Sequence, residues 1–189
     1  MKKKLVIYLA LLGMSLSCFG EEINSFELGH LSHVKGCQSI GLRAGHGTKN
    51  LYDFGMTYTY CFNNKMSLLV EIDHERWKDT YEFEMSRLEF TNVILVSPGI
   101  EHNLLNPCKW FYWHWGIGPA FGYDKWYSVT YDLDKSCFVY GAQVGTGVEF
   151  IPTTRWSIVL KAQQYALFSS AENYLKPNFS LAVRFNFHK

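Results

Sequence analysis

The 189 residues carry 18 Lys and Arg against 17 Asp and Glu, a formal net charge of +1, which leaves no electrostatic footprint for nucleic acid. Aromatic residues make up 17% of the chain, mean hydropathy is −0.10, and no apolar run is long enough for a membrane-spanning helix. Many rings without such a run suit a β-rich protein with alternating strands, either a secreted sandwich or a membrane barrel.

The chain opens on "MKKK", the apolar stretch "LVIYLALLGMSL" and "SCFGEE". A basic segment, a short apolar segment and a small-residue site are the marks of a secretory signal peptide over residues 1–20. "SLSC" loosely resembles a lipobox, which would make Cys18 a lipidation site, although Ser15 stands where such boxes carry Leu. Residues 21–35 show no period and are expected to form a periplasmic tether. One domain, 36–189, follows.

Eight segments of that domain alternate with period two, the signature of strands with one apolar and one polar face. They fall near residues 36–45, 52–62, 66–77, 87–104, 110–126, 137–151, 156–167 and 176–189. Pro98 and Pro119 interrupt the fourth and fifth; each removes a ladder donor, so bulges are expected there. Three connections are tight ("NNK", "NPCK", "PTTR") and four are longer and polar ("HGTKNL", "KDTYEFEMS", "YSVTYDLDKS", "FSSAENYL"). An even strand count with short turns at one end and long loops at the other predicts an all-β fold: an eight-stranded antiparallel up-and-down transmembrane barrel. A soluble meander has no reason to segregate its loop lengths. A lipocalin-like barrel would need an apolar cavity.

The two faces support the membrane reading. One carries the rings and almost no charge. The other carries Arg43, Glu71, Asp73, Glu75, Glu89, Glu101, Gln143, Glu149, Lys161 and Arg184 among small residues. Eight strands enclose a lumen that side chains fill, so these charges are expected to pair inside as a structural network. The last strand ends with the outward positions 183, 185 and 187. Rings there would form the kind of terminal aromatic strand by which outer-membrane barrels are recognised for insertion. Phe185 and Phe187 supply that signal, whereas position 183 holds Val183.

Candidate chemical sites are few. His114, in "YWHWG", falls on the lumenal parity and is expected to bond a neighbouring carboxylate. In "EIDHER", Glu71, Asp73 and Glu75 point inward while His74 points outward, so no metal site is expected. An enzyme acting on lipid would need a pair such as His46 with Ser128, Ser169 or Ser170, and no Gly-x-Ser-x-Gly setting frames any of these serines. No cofactor or small-molecule substrate is evident. Cys37 and Cys61 share inward parity near the short-turn ends of the first two strands, within the reach of a disulfide. Cys137 is expected at the opposite end and Cys108 in the second short turn.

"GCQSIGLRAG", the Trp- and Gly-rich fifth strand, "FVYGAQVGTGVEFIPTTRWSIVLKAQQYALFSS" and "KPNFSLAVRFNF" resemble the TraO proteins of conjugative transposons of Bacteroides-type bacteria. The similarity spans nearly all of the chain after the signal and is densest over residues 137–187. It implies an exported, non-enzymatic component of a conjugal transfer apparatus at the outer membrane, contacting lipid and other transfer proteins. It brings no catalytic residues with it. The rival implied by barrel architecture alone is a small outer-membrane enzyme or an adhesion barrel.

Overall fold

The computed structural model describes residues 33–47, 50–79, 89–108, 110–128, 133–169 and 173–188. The alternating segments form β1 (Cys37–Gly47), β2 (Asn50–Cys61), β3 (Met66–Asp79), β4 (Glu89–Cys108), β5 (Phe111–Ser128), β6 (Leu133–Phe150), β7 (Trp156–Ser169) and β8 (Asn173–His188). Each strand pairs antiparallel with the next, and β1 pairs with β8 to close the barrel. The closing register runs from Cys37↔His188 to Gly47↔Asn178. Closure leaves no strand edge with unpaired backbone groups. The expected signal peptide, Cys18 and Ser170 lie outside the described residues.

Several strands run further toward the long loops than the alternation suggested; the sixth begins at Leu133 and the third reaches Asp79. Backbone pairing does not need an apolar face, so the ladder continues where the side-chain pattern has faded. The lead-in is a turn: Gly36 has φ 85°, a left-handed conformation that favours glycine, and its N–H donates to the Cys61 carbonyl at 2.9 Å.

The expected bulges at Pro98 and Pro119 are not formed. β5 and β6 pair without interruption through Pro119↔Ala142, and β3 and β4 through Val70↔Pro98. Between β4 and β5 the paired residues stop at Val96↔Phe121 and resume at Ile100↔Ile117 in the same register. That register sets Pro98 opposite Pro119, so both missing donors fall in one gap of one ladder. Gly118 completes the arrangement, because a Cβ there would collide with the Pro98 carbonyl oxygen. The register shifts lie elsewhere, between Asn50 and Tyr52 and around Leu105.

The parity of the faces is as expected. Phe54, Phe138 and Phe179 on the outside are 59%, 60% and 65% exposed, whereas Arg43 and Glu71 inside are 1% and 0% exposed. The terminal strand follows the same rule, with Val183, Phe185 and Phe187 all on the outer wall. Position 183 is a valine and not a phenylalanine, so the terminal aromatic pair is Phe185 and Phe187 alone. Val183 instead lies between Leu42 of β1 and Ile158 of β7, in an aliphatic row of the wall. Outward Trp113 donates its indole N–H to Thr146 Oγ1 at 2.7 Å, and Thr146 donates to the His114 carbonyl at 2.9 Å. The wall therefore presents an aromatic surface whose polar atom is already bonded. The interior is not charged throughout. Val93, Leu95, Ala120, Val139, Tyr165 and Leu167, from β4 to β7, form a buried apolar cluster. The charges occupy the remaining space, chiefly on β1, β2, β3 and β8.

Candidate functional site

Beside the apolar cluster, the lumen holds a ladder of alternating charges. Toward the long-loop end, Lys176 pairs with Glu75. Below it, Arg43 projects from β1 and meets three carboxylates: Asp53 (Nη2–Oδ2 2.6 Å), Glu71 (Nη1–Oε1 3.3 Å) and Asp73 (Nε–Oδ1 3.2 Å). Gln163 accepts from Arg43 Nη1 at 2.7 Å and donates to Glu71 Oε2 at 2.6 Å. Asn178 donates to Asp53. Lys161 then bridges Glu71 at 3.1 Å and Glu101 at 3.2 Å. Arg184 stands between Glu101 (3.6 Å) and Glu149 (3.7 Å).

The chain of charges continues to the short-turn mouth. His33 Nε2 lies 3.2 Å from Glu149 Oε2, and its Nδ1 lies 3.1 Å from Asn103 Nδ2. Its ring packs on Tyr112 with centroids 4.1 Å apart. This histidine precedes β1, outside the strands that form the wall. Burial works against its charge, but the Glu149 carboxylate and hydrogen bonds to Cys61 and Glu149 outweigh that and raise its pKa to about 9.

Glu71, Glu101 and Glu149 thus each link at least two bases, and the ladder runs without a break from Arg43 to His33. Each carboxylate is desolvated, so this pairing is what makes its burial tolerable. A void between Leu69, Gln143, Lys161 and Gln163 measures about 10 Å³, room for one water at most. The described lumen is a packed interior.

Of the expected network, Arg43, Glu71, Asp73, Glu75, Glu101, Glu149, Lys161 and Arg184 all face inward and are buried. Glu89 stands opposite Asp79 in β4, and its side chain lies outside the described residues. His114 is buried 3.6 Å from Glu101. Gly147 makes room for it, since a Cβ there would lie 2.6 Å from His114 Nε2. His74 points outward beside Tyr52, with ring centroids 5.9 Å apart. His46 is exposed on the outer wall, and the side chains of Ser128 and Ser169 lie outside the described residues.

Sequence reasoning missed His33, Asp53, Lys176, Asn178 and Gln163 as members of the network. Asp53, Gln163 and Asn178 all have the lumenal parity of their strands, a signal that was available. His33 precedes any period and gave none.

Cys37 and Cys61 are both buried free thiols in this structure. The register Gln38↔Tyr60 puts them on opposed positions, and the thiols lie within hydrogen-bonding range of each other. The expected disulfide is therefore not formed here. In a chain exported to an oxidising compartment, denaturation without reductant should expose two free thiols among Cys37, Cys61, Cys108 and Cys137. Four reactive thiols would show that the pair stays reduced.

The family described as "Conjugative transposon protein TraO" matches residues 34–187. No curated protein matches the chain. Among solved structures, the N-terminal β-barrel domain of Pseudomonas aeruginosa OprF is similar, with a TM-score of 0.62 at 13% identity over 81% of this chain and 98% of that one. Yersinia pestis Ail, the attachment invasion locus protein, gives 0.58 at 17% identity over 82% and 100%. Pseudomonas aeruginosa outer membrane protein OprG gives 0.58 at 10% identity over 83% and 98%. At these identities the likeness is one of fold: the chain has the architecture of small outer-membrane barrels.

Proposed function

The chain belongs to the TraO family of conjugative transposon proteins, and on that premise we propose that it is a non-enzymatic outer-membrane barrel of a conjugation apparatus, holding other transfer proteins at that membrane. The observation that carries this reading is the division of the barrel into an apolar aromatic wall and a lumen closed by its own charges. A lipid-facing wall anchors. A packed interior conducts nothing, and neither His114 nor His46 has a serine nucleophile beside it among the described residues. What remains for partners is the two ends. The short-turn end, where His33 leads into β1, would face the periplasm. The long loops would face outward.

Deleting the gene tests the role. Donors should lose DNA transfer to the level of cells without the apparatus, keep an unchanged lipid profile, and recover when the gene is restored. Unchanged transfer, or an altered lipid profile, would favour the enzyme or adhesion reading instead. Placement is tested separately: the detergent-extracted protein should migrate differently on a gel before and after heating, as closed membrane barrels do. Recovery in the soluble periplasmic fraction would refute the membrane assignment.

A further inference from the structure

The β4–β5 ladder is built differently from its neighbours. Among the described residues it is the one ladder interrupted between its ends. Pairing stops at Val96↔Phe121 and resumes at Ile100↔Ile117, and two register shifts follow between Asn103 and Cys108. The shift of β2–β3 lies at the end of that ladder, between Asn50 and Tyr52. The ladders on either side run unbroken past the gap, through Val70↔Pro98 and Pro119↔Ala142, so the bonding sides of Pro98 and Pro119 are turned toward each other. A proline has no N–H to give. Both bonds of one antiparallel pair are therefore missing by covalent chemistry.

Behind the gap the two strands carry no charge over a window bounded by Asp124 opposite Val93 and by Glu101 opposite Gly116. Its inward positions are Leu95, Ser97 and Gly99 on β4 and Gly118, Ala120 and Gly122 on β5. Leu95 and Ala120 belong to the buried apolar cluster. Ser97 Oγ is buried without a hydrogen-bond partner among the described residues, and Gln143 Nε2 reaches the Ser97 carbonyl only at 3.5 Å. Lys161 comes close, bordering with Gln143 and Gln163 the small void against Gly99 and Gly116, but Glu71 and Glu101 hold it in place. Parting β1 from β2 would strip Arg43 from Asp53 and turn a charge toward hydrocarbon. Parting β4 from β5 at the gap turns leucine, alanine and glycine outward, with one hydroxyl.

We propose that the β4–β5 seam is a lateral opening: the strands part at Pro98 and Pro119 and admit a hydrocarbon chain of the surrounding lipid to the apolar cluster in the lumen. Local opening begins where backbone bonds are fewest. The outer lips of the gap are apolar as well, since Val96, Ile100, Ile117 and Phe121 all stand exposed on the wall. The inference rests on the outer-membrane placement proposed above and is independent of the conjugal role.

Amide exchange of the barrel in phosphatidylcholine nanodiscs reads the seam with the native cysteines in place. The amides of Val96, Ile100, Ile117 and Phe121, which flank the missing pair, should exchange faster than those along the unbroken β6–β7 ladder. In P98A/P119A, which restores both donors, they should slow by about fivefold per donor. A second measurement replaces Cys37, Cys61, Cys108 and Cys137 by alanine and adds one thiol. That thiol is Ser97→Cys behind the gap, or Val159→Cys, as deeply buried but behind unbroken ladders. A long-chain N-alkylmaleimide dissolved in the bilayer should label Ser97→Cys about thirtyfold faster, the weight of two missing bonds, and P98A/P119A should remove the difference. Heat-modifiable migration of the same samples shows that the barrel is inserted, so failed insertion of the native chain, which would sink the membrane placement, is distinct from a closed seam. Equal labelling of the two thiols, labelling of Ser97→Cys by a water-soluble maleimide alone, or exchange unchanged by the two alanines overturns the proposal.

Discussion

Arg43→Met should destabilise the barrel by about 3–5 kcal/mol, the cost of breaking a buried charge pair from one side. The side chain is 1% exposed and is the shared partner of Asp53, Glu71 and Asp73. Methionine fills much of the volume but removes every donor. Asp53 and Asp73 then keep no base among the ion pairs of the described residues, and Gln163 loses the guanidinium it accepts from. Lys161→Met should cost much less, because Glu71 retains Arg43 while Glu101 retains Arg184. Urea unfolding of the barrel in vesicles, followed by Trp fluorescence, measures both. Adding Asp73→Asn to Arg43→Met should restore part of the loss, since neutralising an orphaned acid removes its desolvation penalty. An Arg43 variant within about 0.5 kcal/mol of wild type, the range of an ordinary surface substitution, would show that the ladder does not hold the lumen together.

The second large effect concerns His33, which among the described residues is the one member of the ladder that precedes the wall. Its folded pKa of about 9 lies above the ordinary value near 6.5. A raised base contributes its stability below the unfolded pKa, and that contribution is lost as pH rises through the folded one. The seat of His33 should therefore be firm below about pH 6.5 and loosen toward pH 9 and above, with a total effect on the order of 3 kcal/mol. The groups facing the ring are Glu149, Asn103, Tyr112 and Cys61. Amide exchange over residues 34–36, corrected for its intrinsic base catalysis, should rise across that window in the wild type. In His33→Ala it should be fast throughout, with Cys61 more open to thiol reagents at neutral pH. Corrected exchange that stays flat across the window would show that the histidine is not held by charge.

Much of this architecture was legible in the sequence because its cause is local. Side chains alternate faces with period two in any strand, so "NFSLAVRFNF" sorts its outward Phe179, Leu181, Val183, Phe185 and Phe187 from Asn178, Ser180, Arg184 and Asn186 with no knowledge of a partner. Loop lengths are equally local, and three tight connections against four longer ones were enough to tell the short-turn end of the barrel from the long-loop end. The inward set Arg43, Glu71, Glu101, Glu149, Lys161 and Arg184 followed from the same parity.

Which of those groups meet was decided by tertiary structure alone. Parity states that Glu71 and Lys161 both point inward; only barrel closure, through the registers of β3 with β2 and of β7 with β8, brings them to 3.1 Å across 90 residues of chain. The prolines make the same point. Each alone reads as a break in its strand, and it takes the β4–β5 register to set one opposite the other in a single gap. The apolar cluster around Leu95 and Tyr165 arises because four strands contribute to one side of a narrow lumen. His33 belongs to no strand and showed no pattern, yet the turn at Gly36 delivers it to Glu149, 116 residues away. Periodicity is written residue by residue along the chain, whereas register and pairing across a lumen arise only when the first strand meets the last.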